Sequence, residues 1–143
     1  MTVKAILSRK GRDVVTIAPT ANLSEAVKLL AEKRIGAVVV TGADDRVAGI
    51  LSERDIVRAL GERGAGALGD NVAAVMTRKV TTCAEADTIS LIMERMTTGK
   101  FRHLPVVEQG HLVGVISIGD VVKTRVEEIE RESDALREYI ATA

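Results

Sequence analysis

Tryptophan is absent from this 143-residue chain, and Phe101 and Tyr139 are its only large aromatics. An aliphatic core is expected, and stacking on single-stranded bases has little support. The single cysteine, Cys83, excludes an intramolecular disulfide and suits a reducing cytoplasm. Together with His103 and His111 it shows no metal-ligand spacing, so no metal site is expected. Charge of one sign is also missing. Twenty basic and twenty acidic side chains cancel, which disfavours nucleic-acid binding by counterion release. No apolar run approaches the ~18 residues that cross a bilayer, and residues 1–10 lack the shape of a signal peptide. The expectation is a cytoplasmic protein with neither nucleic acid nor membrane as partner. A G-x-x-x-x-G-K-[ST] phosphate loop is absent too.

The chain does contain an internal repeat. VVTIAPTANLSEAVKLLAEKRIGAVVV, residues 14–40, lies over VTTCAEADTISLIMERMTTGKFRHLPV, residues 80–106, at a constant offset of 66. Thr16 falls on Thr82, Leu23 on Ile89 and Leu30 on Met96. After a one-residue deletion GILSERDIVRAL, residues 49–60, matches GVISIGDVVKTR, residues 114–125. Residues 3–10 echo residues 72–79 as a lead-in to each copy.

Each copy reads as β-α-β-β-α. Residues 14–17 form a short β-branched strand, and Pro19 separates it from a helix over about 23–33. Ser24 or Asn22 is placed to cap that helix, and Leu23, Ala26, Val27, Leu30 and Ala31 share one face. The apolar run 37–41 reads as a buried strand, hairpinned to 47–51 through a turn of Gly, Ala and Asp. A helix over 53–60 follows. Between the copies, GERGAGALGD carries four glycines and reads as a flexible connector. One such unit has too small a core to stand alone. The chain therefore divides into 1–66, the first repeat with its lead-in, 67–126, the second, and 127–143, a helical extension. The fold class is α+β. Val122, Val126, Ile129, Ser133, Leu136 and Ile140 follow a heptad-like spacing. That stripe either packs on its own domain or dimerises.

The strongest local signal is strand-Gly-φ-φ-Ser-x-x-Asp, present twice, with Ser52/Asp55 and Ser117/Asp120. A serine N-cap with an acid at N3 is a capping box. The same helix start attracts anions, and an acid there can accept hydrogen bonds from a ribose diol. Both readings fit the spacing. A catalytic serine would need a base, and no histidine is placed to serve both copies.

The ordered set GILSERDIV, GVISIGDVV, VMTRKVTT and FRHLPVV resembles a tandem pair of CBS domains, the small repeats named after cystathionine β-synthase. The resemblance covers about residues 3–125. It implies two repeats packed sheet to sheet about a pseudo-twofold axis, in a non-catalytic regulatory module that is commonly a homodimer. It also implies an adenine nucleotide of the AMP, ATP or NAD class as regulatory ligand in the cleft between units, with no catalytic cofactor. Carried over by position, Asp55 and Asp120 would each hold a ribose diol, with Ser52 and Ser117 beside the ribose or phosphate. Backbone around Thr16 and Thr82, and at Gly36-Ala37 and Arg102-His103, would frame the adenine. Arg102 and His103 would face phosphate, with Arg54 a further candidate. Arg102 and His103 also admit a plainer reading, as a surface arginine and a satisfied, partly buried histidine. The copies differ, since Arg102-His103 stands where the first has Gly36-Ala37, and Arg54 where the second has Gly119. The alternative reading is a ligand-independent dimeric scaffold, or an inhibitor of a partner enzyme.

Overall fold

The structure, a computed structural model, describes residues 1–142. In chain order the elements are α1 (Val3–Lys10), β1 (Thr16–Ile17), α2 (Leu23–Lys33), β2 (Ala37–Thr41), β3 (Val47–Ser52) and α3 (Glu53–Arg63). After a 3-10 segment (Gly64–Gly69) come α4 (Val72–Val75), α5 (Ile89–Gly99), β4 (His103–Glu108), β5 (His111–Ser117) and α6 (Ile118–Thr142). β1 runs parallel to β2, and β2 pairs antiparallel with β3. In the second copy β4 and β5 form the same hairpin. Its first strand is reduced to one parallel bridge, Cys83 with Val106. That bridge is the counterpart of Ile17 with Val40 at the 66-residue offset. The repeat read from the sequence is a repeat in space.

The first strand is shorter than the β-branched run suggests, because only Thr16 and Ile17 reach β2. α2 keeps its expected bounds, and Asn22, not Ser24, caps it by accepting from the Glu25 N–H at 2.9 Å. Its buried stripe is Leu23, Ala26 and Leu30, while Val27 and Ala31 stay exposed. Val38 and Val40 face the first core with Leu51 and Ile56. Pleating turns Val39 to the opposite face of the sheet, yet it is also buried. That face meets the second sheet: Val39 and Ile50 line one cleft together with Val115.

The two lead-ins cross. Val3, Ile6 and Leu7 of α1 are buried in the core of the second repeat, with Cys83, Ile89, Leu104 and Ile116. Val72 and Met76 are buried in the core of the first. Matching bridges hold them, Thr2 with Thr88 and Asn71 with Asn22. The crossing needs bare backbone where each lead-in passes a hairpin. A Cβ on Gly49 would lie 2.7 Å from Met76 Sδ, and one on its counterpart Gly114 would lie 2.7 Å from Leu7 Cδ2. Each repeat is thus completed by the lead-in of the other.

One expectation is corrected, and one open alternative is narrowed. The glycine-rich connector is not a loose linker, because residues up to Arg63 extend α3 and residues 64–69 form a 3-10 turn that buries Ala67 in the first core. An ion pair between Arg63 and Asp70 spans it. The heptad stripe on α6 does not pack on its own domain. Val122, Val126, Ile129, Leu136 and Ile140 are all exposed. The face of α6 that meets the body is the one carrying Val121 and Thr124.

Candidate functional site

Helices α3 and α6 start where β3 and β5 end, and both starts are tied to the neighbouring strand. The Glu53 N–H donates to Gly36 O at 2.9 Å, and the Ile118 N–H donates to Arg102 O at 2.8 Å. Ser52 Oγ accepts from the Asp55 N–H at 3.3 Å, while Asp55 Oδ2 accepts from the Ser52 N–H at 3.0 Å. Ser117 and Asp120 make the same reciprocal pair at 3.2 and 2.9 Å. Both motifs are capping boxes, and Ser52 and Asp55 line one cleft while Ser117 lines another.

Among the described residues, two clefts draw on both repeats. The first, of about 340 Å³, gathers Lys10, Asp13, Val14, Val15 and Arg34 with His103, Val115 and Ser117. The second, of about 380 Å³, gathers Ser52, Arg54, Asp55, Arg58 and Thr77 with Lys100, Phe101, Arg102 and His103. Both volumes fall in the range of small-molecule sites, ~300–1,000 Å³. Gly36, Ala37, Ile50 and His103 line both, so they form the shared wall. Ser52 and Asp55 therefore face residues 100–103 of the opposite repeat, while Ser117 faces residues 34–37.

The crossing decides the electrostatics. Four basic side chains line the second cleft, against Glu53 and Asp55. Among the described residues Arg54, Lys100 and Arg102 have no ion-pair partner, and Arg58 reaches only Asp55, at 3.8 Å. Asp55 is buried and accepts from Thr77 Oγ1 at 3.2 Å through Oδ1. A carboxylate has about four acceptor positions, so Oδ1 retains room for a further donor. In the first cleft Lys10 already holds Asp120, Nζ to Oδ2 at 2.7 Å. Burial pushes the Asp120 carboxyl up, but the Lys10 and Ser117 hydrogen bonds outweigh it and hold it below its ordinary value. Burial and the nearby Lys10 ammonium push the His103 imidazole down.

The family model for the CBS domain matches residues 3–62 and 72–127. The chain belongs to the CBS-domain family. The CBS-domain containing protein ATU1752 from Agrobacterium tumefaciens matches its fold with a TM-score of 0.84 at 51% identity, over 87% of this chain and 99% of that one. A CBS domain protein from Pyrobaculum aerophilum, solved in complex with AMP, matches with a TM-score of 0.74 at 32% identity, over 84% and 89%. The mitochondrial CBS domain-containing protein CBSX3 of Arabidopsis thaliana is 34% identical over 120 residues, 81% of this chain. The match spans 58% of that relative's length.

Within this CBS pair the structure brings Ser52, Arg54, Asp55, Arg102 and His103 to one cleft and Ser117 and His103 to the other, with Gly36 and Ala37 between. Asp120 stands behind Lys10 at the edge of the first. Thr16 and Thr82 line neither. Thr16 spends its backbone on β2, and Thr82 O accepts from Arg95. The neighbouring Val14 and Val15 line the first cleft instead. Sequence reasoning missed Lys10, Thr77 and Lys100. Lys100 was legible, being a basic residue two positions before Arg102. Lys10 and Thr77 belong to the lead-ins, and only the crossing carries them to a cleft. Cys83 is buried, and burial with the nearby Asp87 pushes its thiol up to about 12, an inert core group. Among the described residues no group of three His, Cys, Asp or Glu side chains is placed to hold a metal. No helix among them is long and apolar enough to cross a membrane.

Proposed function

We propose that this CBS pair is a regulatory module without a catalytic step of its own. It binds an adenine nucleotide of the AMP, ATP or NAD class between its repeats and signals to a partner protein by a change in their relative arrangement. The observation that supports this best is the second cleft, where a capped helix start with a buried acid faces three unpaired cations of the two repeats. Asp55 accepts the ribose hydroxyls, and Ser52 lies beside the ribose or phosphate. Arg54, Lys100 and Arg102 take the phosphates, with His103 at their side, and Phe101 and the Gly36-Ala37 backbone frame the base. The AMP complex of the Pyrobaculum relative supports the ligand class. In the first cleft Lys10 neutralises the equivalent acid, so one nucleotide site is favoured over two. Both walls move with different repeats, so a ligand with unequal affinity for two arrangements shifts their populations. The buried thiol of Cys83 suits a reducing cytoplasm.

The test is a thermal-shift series with AMP, ADP, ATP, NAD and S-adenosylmethionine on wild type, Asp55→Ala and Asp120→Ala. At a hundred times Kd a ligand adds about 2.7 kcal/mol of stability. Asp55→Ala should abolish the shift and Asp120→Ala should keep it. A reversed pattern would move the site to the first cleft. No shift with any of the five would leave the ligand-independent scaffold as the better reading.

A further inference from the structure

From residue 129 onward every described residue of α6 is exposed. About four helical turns, at ~3.6 residues each, leave the body of the protein, where Arg131 Nη1 reaches Met1 Sδ at 3.9 Å. A free helix of that length is marginal in water. This one carries Ile129, Leu136, Tyr139 and Ile140, the last three 59% to 72% exposed. Val122 and Val126 continue the stripe back to the body. In heptad terms Val122, Ile129 and Leu136 hold the d positions, and Val126, Ser133 and Ile140 hold the a positions.

The flanking charges choose both an occupant and an orientation. Arg125 and Glu132 are at g, and Lys123, Glu130 and Arg137 are at e. In a parallel pair of identical helices each g side chain faces the e side chain five residues on in the other copy. Arg125 then faces Glu130, and Glu132 faces Arg137, each twice by symmetry. An antiparallel pair keeping the same apolar layers sets e against e and g against g. Glu130 then meets Glu130, Glu132 meets Glu132, and Lys123 meets Arg137. Every charged pair in that arrangement repels.

We propose that α6 pairs in parallel with α6 of a second copy of this chain, as a two-stranded coiled coil over residues 122–140. Ser133 faces its own copy across the axis, a polar a position of the kind that sets register at some cost in stability. The family match ends at residue 127, so four of the six layers, from Ile129 to Ile140, lie in the extension, and none of the six residues lines a nucleotide cleft. The pairing makes the module a twofold dimer with its paired repeats held side by side.

Sedimentation equilibrium of the full chain, at low and high micromolar concentration, should give a dimer. Ile129→Glu with Leu136→Glu changes two exposed positions, so the fold should survive, as circular dichroism would confirm. That variant should raise the dimer dissociation constant about a hundredfold or more, 1.4 kcal/mol for each factor of ten. Under mild oxidation Ser133→Cys should cross-link to a covalent dimer, Cys83 being buried. Val126→Cys and Leu136→Cys chains, mixed, should each cross-link only to their own kind. A monomeric wild type, or a double variant that dimerises as well as wild type, overturns the proposal. Cross-links between Val126→Cys and Leu136→Cys chains would make the pair antiparallel and overturn it as well.

Discussion

Lys10 Nζ stands 2.7 Å from Asp120 Oδ2 and 3.0 Å from Val115 O, whereas the equivalent acid Asp55 is met by the Thr77 hydroxyl. The ion pair ties the N-terminal lead-in to the start of α6. Because the Asp120 carboxyl is held below the 3.8 of a free aspartate, its contribution to stability is complete above about pH 4. It is lost as pH falls through the lower folded value. Lys10→Met should therefore unfold at lower urea than wild type at pH 7. The gap should narrow under strongly acidic conditions, and a gap that is constant with pH would show that the ion pair is not its source.

His103 runs with the same sign for a different reason. Burial comes first and the Lys10 ammonium second in pushing its imidazole below 6.5, with Arg102 adding and Asp120 and Glu53 opposing. The unfolded chain takes up a proton near pH 6.5 while the folded one resists it, so stability is complete above that value and declines below it. Melting curves between pH 8 and pH 5 should show the decline in wild type. His103→Asn should flatten it.

The paired glycines should not respond alike to a methyl group. On Gly49 a Cβ meets the Thr77 carbonyl oxygen as well as Met76 Sδ, both at 2.7 Å, and backbone cannot rotate away. On Gly114 its three nearest atoms all belong to the Leu7 side chain, whose end can turn. Gly49→Ala should cost about 1–3 kcal/mol, the usual range for overpacking, and Gly114→Ala distinctly less. Urea midpoints of the two variants decide the order.

Cys83 should react with a thiol reagent only when the protein unfolds, since burial raises its thiol to about 12 and shields it. Labelling followed through a urea gradient should track the unfolding transition. Stoichiometric labelling of the native protein would place the thiol outside the core.

Much of the fold was legible because its determinants are local. The bounds of α2 follow from Asn22 and the Leu23, Ala26, Leu30 spacing. The hairpins follow from apolar runs flanking a polar turn. The connector was misread for a physical reason. Four glycines signal freedom when no partner is in view, but Ala67 between them finds a place in the first core and orders the turn around it. The heptad stripe on α6 was visible, yet periodicity alone does not say whether the body of the protein covers it.

The chain by itself determined that there are two copies of one unit, which elements each contains, and that a serine and an acid recur at the start of the last helix of both. Caps, periodicity and β-branched runs act over a few residues, so they can be read along the chain. Tertiary structure alone decided that the lead-ins cross, that Gly49 and Gly114 must stay bare, and that Asp55 shares a cleft with Lys100 and Arg102 while Asp120 is matched by Lys10. Those relations join residues up to 110 positions apart. They arise from packing two repeats about a pseudo-twofold axis, where each wall of a cleft comes from a different repeat.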